Sequence, residues 1–184
     1  MKKLLLLLTA LLTLGGSTWA QAIPVTLVDG TNANAPYDTY GTRNDSETPN
    51  TFTSNDASGL AGIVLSAPVI DRGTWWSTYC LALRPSATQT AETVTFTAPE
   101  GYLLLSVNMT AQANSSDYPY DVVFNGHTTN VTGASAKTFT VNNILAPSFS
   151  FTINHTAASF HDTNKWLAVK SLTLQLVKIV TNTS

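Results

Sequence analysis

From Thr93 to Val180 the chain runs as short segments of alternating apolar and polar side chains, broken by turn residues. Val94 and Phe96 alternate with threonines. Leu103, Leu105, Val107 and Met109 resume the pattern after a turn, followed by Phe139 and Val141, then Phe149, Phe151 and Ile153, then Leu172, Leu174 and Leu176. A period of two puts every second side chain on one sheet face, so these segments read as half-buried strands. Earlier in the chain, residues 23–28, 62–70 and 77–84 are strand-like, the last two separated by Asp71-Arg72-Gly73-Thr74-Trp75-Trp76. With residues 93–98, 102–113, 121–124, 127–132, 136–141, 148–154 and 166–180 this makes about ten strands and no long helical period. The expected fold is all-β, an antiparallel β-sandwich of jelly-roll type.

Three local signals sharpen that picture. Asn125-Gly126 between two short strands is a two-residue hairpin turn, because both central positions need positive φ. Ala98-Pro99-Glu100-Gly101 fits a type I turn. In the last strand the apolar positions switch from odd (Leu167, Val169) to even (Leu172, Leu174, Leu176) across Lys170-Ser171. Either a β-bulge sits near Lys170, or the strand begins buried on both faces with Trp166 and Ala168 inside. Residues 29–58 are dense in Asn, Asp, Thr, Gly and Pro, and form either a long irregular loop or several very short edge strands.

The N-terminus supplies the compartment. Met1-Lys2-Lys3 is a basic start, residues 4–14 are an apolar run too short to span a bilayer, and Ala20-Gln21-Ala22 fits a cleavage site. Residues 1–22 are therefore expected to be a signal peptide and 23–184 a single domain. The protein would be secreted, periplasmic or on the cell surface, by Gram-negative bacterial type export, with no transmembrane segment after cleavage. Eleven acidic and nine basic residues give a net charge of −2, which leaves no electrostatic footprint for nucleic acid. Cys80 is the single cysteine, so no internal disulfide forms, and its place on a strand reads as a buried small hydrophobe.

Chemistry-bearing motifs are sparse. His127, His155 and His161 form no H-E-x-x-H or H-x-H pattern, and no G-x-S-x-G elbow or phosphate loop is present. No catalytic residue is assigned. Asp29, Asp45, Glu47 and Asp56 are loop oxygens that either hold calcium or are simply solvated, and calcium is the one cofactor they would suit. Trp75 and Trp76 are adjacent, so in an extended segment they face opposite ways. Either one ring is exposed beside Arg72 as a sugar-stacking contact, or both are buried at a sheet edge. Tyr118 and Tyr120 around Pro119 form a second aromatic patch. The six N-x-S/T triplets carry no weight in a chain this rich in Asn, Ser and Thr.

Val94-Thr95-Phe96-Thr97-Ala98-Pro99-Glu100-Gly101-Tyr102 is one of three familiar pieces. The others are Ala111-Gln112-Ala113 with Tyr118-Pro119-Tyr120, and Trp166-Leu167-Ala168-Val169 with Leu172-Thr173-Leu174. Together, over roughly residues 78–178, they resemble the β-sandwich accessory region that precedes the catalytic propeller in secreted exo-sialidase-like proteins of glycan-foraging Gram-negative bacteria. The resemblance implies a non-catalytic module whose partner is a glycan or a cell-surface protein. The sialidase propeller's own marks do not follow. No S-x-D-x-G-x-T-W box occurs, since Arg72-Gly73-Thr74-Trp75 lacks the preceding Ser-x-Asp, and Arg43, Arg72 and Arg84 are the only arginines. A structural or adhesive surface role is the alternative, and a glycoside hydrolase a weaker third.

Overall fold

The computed structural model describes residues 21–29, 39–44, 46, 49–75, 78–84, 91–114, 119–133, 135–155 and 166–180, with backbone alone for 71–75, 78–79 and 84. Among the described residues the alternation resolves into thirteen strands: β1 (Ile23–Val28), β2 (Gly41–Asn44), β3 (Asn50–Ser54), β4 (Val64–Ala67), β5 (Val69–Trp75), β6 (Thr78–Arg84), β7 (Ala91–Thr97), β8 (Tyr102–Ala113), β9 (Tyr120–Phe124), β10 (His127–Val131), β11 (Lys137–Ala146), β12 (Ser148–His155) and β13 (Leu167–Lys178). A 3₁₀ turn, Asp56–Ser58, joins β3 to β4.

Two antiparallel sheets result. The first runs β11-β8-β13-β6-β5, with β1 also paired to β13; the second runs β10-β9-β12-β7-β4-β3-β2. Strands β6 to β13 thus make two interlocked four-strand sets, β11-β8-β13-β6 over β10-β9-β12-β7, and the chain changes sheet at nearly every connection. That connectivity is a jelly roll. To it the N-terminal third adds β5 beyond β6, β1 on β13, and β4-β3-β2 beyond β7.

The core lies where the inward halves of the alternation meet. Val94, Phe96, Phe151 and Ile153 from one sheet face Val107, Met109, Leu172 and Leu174 from the other, all at most 2% exposed. Phe124 bridges the layers, its ring 5.5 Å from Phe139, 5.1 Å from Phe149 and 5.4 Å from Phe151. Burying each such side chain contributes about 1.5–3 kcal/mol, so packing stands in for a disulfide.

Several expectations hold at residue level. Asn125 (φ 50°) and Gly126 (φ 78°) adopt the positive φ pair of the hairpin turn between β9 and β10. The register of β13 against β8 shifts between Val169 and Ser171, which makes Lys170 the bulged residue. The other reading of the same signal holds in part: Leu167, Ala168 and Val169 are all fully buried, whereas Trp166 is only partly buried.

Of the two readings of residues 29–58, the very short strands hold: β2 and β3 end the second sheet, and the turn that follows is organised by buried serines. Ser54 Oγ donates to the Leu60 carbonyl at 2.7 Å and accepts from the Ile63 N–H at 2.8 Å. Two other expectations need correction. The predicted strand 62–70 is two strands in different sheets, divided at Pro68, which has no N–H for a ladder. Side chains of the second sheet satisfy the backbone at that crossing. Asn50 Oδ1 accepts from the Ile70 N–H at 3.0 Å, and Arg43 Nη1 donates to the Ile70 carbonyl at 3.1 Å. The expected separator from Asp71 to Trp75 is instead the body of β5, paired through Gly73 with Cys80.

Candidate binding surface

Strand register turns the polar half of the alternation into a surface. Across β11, β8, β13 and β1 the pairing aligns Thr140, Asn108, Thr173 and Thr26 in one row, and Asn142, Ser106, Gln175 and Pro24 in the next. A shorter row holds Thr138, Thr110 and Ser171, with the Thr110 and Thr138 hydroxyls 3.2 Å apart. Asn108, Thr138, Thr140, Asn142, Thr173 and Gln175 are exposed, while Phe139, Val141, Val107, Met109, Leu172 and Leu174 between them point into the core.

No charged side chain stands in these rows. The lysines of the same strands sit at their margins: Lys137 opens β11, Lys178 closes β13 and Lys170 occupies the bulge. Hydroxyls and amides both donate and accept hydrogen bonds. The face can therefore match a ligand of mixed polarity without imposing a sign of charge.

The other half of the sheet's outer face differs. Ala82 of β6 pairs with Ala168 of β13, which pairs with Gln112 of β8. Cys80, Ala82 and Ala168 are 0% exposed, and Gln112 is held by a 2.6 Å bond from its amide to the Gly133 carbonyl. Burial pushes the Cys80 thiol up to about 11, an effect the nearby Lys170 ammonium partly opposes. Cys80 is thus a small core residue, as expected, and not a nucleophile at neutral pH.

The candidate residues from the sequence are scattered. Trp76, Tyr118, Asp45 and Glu47 lie outside the described residues, as does the leader through residue 20. Arg72 and Trp75 are placed by backbone on β5, at the outer edge of the first sheet. Tyr120 is 0% exposed, so its ring belongs to the core and offers no ligand patch. The inward parity of β9, shared with Val122 and Phe124, is the reason.

Of the proposed calcium acids, Asp29 follows β1 and accepts a 2.8 Å hydrogen bond from the Tyr40 hydroxyl. That bond, then burial, then the carboxylate charge raise the Tyr40 hydroxyl above its ordinary value. Asp56 is exposed in the first turn of the 3₁₀ segment capped by Asn55. Among the described residues no three His, Cys, Asp or Glu side chains gather as a metal-holding group.

The hydroxyl and amide rows were not singled out from the sequence. The signal was present as the polar partner of every apolar position, but which polar residues become neighbours depends on register. Trp166, just before β13, is a further partly buried ring. Its backbone exchanges two 3.1 Å bonds with Asn114, through the Asn114 side-chain oxygen and backbone N–H.

No family model matches this sequence, and no curated protein matches it. Solved structures overlap it at low similarity. A family two carbohydrate esterase from Cellvibrio japonicus is 11% identical with a TM-score of 0.32, over 88% of this chain and 36% of that one; this chain thus spans about a third of the esterase's length. The CBM36-1 domain of a multidomain xylanase from the hindgut metagenome of Trinervitermes trinervoides is 11% identical with a TM-score of 0.30, over 84% and 96% of the two chains. A carbohydrate-binding module CBM36 in complex with calcium and xylotriose is 15% identical with a TM-score of 0.28, over 58% and 92%. None of the three is a sialidase accessory region.

Proposed function

We propose that this chain is an exported, non-catalytic β-sandwich module that binds neutral glycans. The observation that carries the reading is the charge-free field of hydroxyls and amides laid in register across β11, β8, β13 and β1. A neutral polyol presents the complementary array of donors and acceptors. Direct and water-bridged hydrogen bonds then supply the contact. A large exposed apolar patch would instead mark a face for another protein. Among the described residues the exposed large apolar side chains are Ile179 and Val180, together at one end of β13. In this reading the leader delivers the module to the periplasm or cell surface, and its role is the targeting one of an accessory domain beside glycan-degrading machinery, sialidases included.

The test is affinity electrophoresis through gels containing xylan, soluble starch or hydroxyethylcellulose. Wild type is retarded by at least one polymer, and added NaCl leaves the retardation unchanged because no ion pair is involved. The paired substitution Asn108→Lys with Thr140→Glu puts opposite charges directly across β8 and β11, so the ladder is kept while the neutral field is broken. Its retardation falls at least tenfold. Equal mobility of wild type and variant on every polymer removes the reading. Parallel gels with calcium or chelator test the metal, and calcium-dependent retardation would direct attention to Asp29, Asp45, Glu47 and Asp56.

A further inference from the structure

The opposite outer face of the sandwich repeats the pattern on different strands. In the second sheet the registers align Asn44, Thr51, Ser66, Thr95 and Ser150 across β2, β3, β4, β7 and β12, with Thr95 and Ser150 hydroxyls 2.8 Å apart. The adjacent row, from Thr42 to Ser148, is Thr or Ser at every position but Val64. None of these positions is charged. The charged residues of these strands stand elsewhere: Arg43 is on the inward parity and reaches the Ile70 carbonyl, and Glu92 pairs with inward Ile153 at the far end of β7. Exposed sheet surfaces ordinarily intersperse lysine and glutamate for solubility and to discourage association. They are absent from these rows on both sides of the domain; on the second sheet's outer parity Asp121 of β9 stands beyond the rows, taken up by a 2.8 Å hydrogen bond from the Asn130 amide, and the rows themselves suit a neutral occupant.

We infer that this second face is a second site for the same class of ligand, which makes one copy of the chain a cross-linker of neutral polysaccharide. The inference rests on the proposed function. Neighbouring strands lie about 4.8 Å apart, close to the length of one pyranose unit, so a chain lying along a row meets one strand per sugar. Sheet twist of about 20–25° per strand turns each row progressively, which suits a flexible single chain and not a flat crystalline surface.

The experiment uses the full mature chain, shown to be monomeric by sedimentation, and beads coated with whichever soluble polysaccharide retards it. Wild type aggregates the beads. Thr95→Lys with Ser150→Glu, an opposite-charge pair across β7 and β12, keeps the circular dichroism and melting temperature. This variant still binds the beads in a pull-down but aggregates them at least tenfold less. The variant on the first face, already weakened in gel retardation, likewise loses aggregation, and combining the two pairs abolishes binding. Aggregation by the Thr95/Ser150 variant equal to wild type overturns the second site, as does wild type that binds without aggregating beads. Wild type that binds no polymer overturns the proposed function and this inference together.

Discussion

One strand shows two ways of using a sheet face. On β13, residues Leu167, Ala168 and Val169 are all buried, so both faces are covered and the outward positions must be small: Ala168 lies beside Ala82, with Cys80 nearby. Past the bulge at Lys170 the same strand alternates strictly, with Leu172, Leu174 and Leu176 inward and Thr173 and Gln175 exposed. The pairing partner changes at the same point. Before the bulge the free edge of β13 is taken by β6, and after it by β1. A single extra residue thus separates a two-sided core from an open polar face.

The largest expected effect breaks this contrast directly. Ala168→Glu places a carboxylate at a fully buried position and should destabilise the domain by about 3–5 kcal/mol, or prevent folding. Thr173→Glu, five positions along on the exposed face, should shift stability by less than about 0.5 kcal/mol. Urea titration of both variants is the check, and similar costs would contradict the two-face description.

Cys80 sharpens the covered side. Its thiol is held protonated in the folded state up to about 11, whereas the ordinary value is 9.0. The contribution to stability is therefore complete below pH 9 and is lost as pH rises through 11, because the unfolded chain ionises first. The decline is on the order of 2 kcal/mol. Cys80→Ala should lack that decline in melts between pH 8 and 11, and the wild-type thiol should react with a disulfide reagent only on unfolding.

The smallest effect concerns turns at the margins of the two faces. Gly126 has φ +78° with nothing near the place a Cβ would occupy, so Gly126→Val costs only backbone strain, about 1–3 kcal/mol. Gly133→Val should cost less, since its Thr-Gly-Ala segment lacks the two-residue hairpin's constraint. Equal midpoints for the two variants in urea would remove the hairpin assignment's energetic basis.

What was legible in the sequence follows the same division. The bulge could be read because apolar parity changes across Lys170, and the β9–β10 turn because Asn-Gly admits few other conformations. The crossing at Pro68 was equally marked, by a residue that cannot donate to a ladder, yet the apolar run 62–70 masked it. Sheet order and register were not legible. A Thr-Val-Thr-Phe-Thr segment pairs as well with one neighbour as with another, and only the global packing chooses. The polar rows depend on that choice, so no local motif announced them. Tyr120 misled for a related reason: a tyrosine beside a proline loop reads as surface until strand parity turns it inward.

The central place of β13 sets a schedule for folding. This strand, the latest of the described strands to leave the ribosome, joins β8 to β6 and carries β1, so the first sheet has no continuous ladder before residues 167–178 arrive. Until then β1 waits about 145 residues for its partner, a high-contact-order arrangement in which local pairings have little to consolidate them. The second sheet needs no strand beyond His155, so its ladder can close before the first sheet's does.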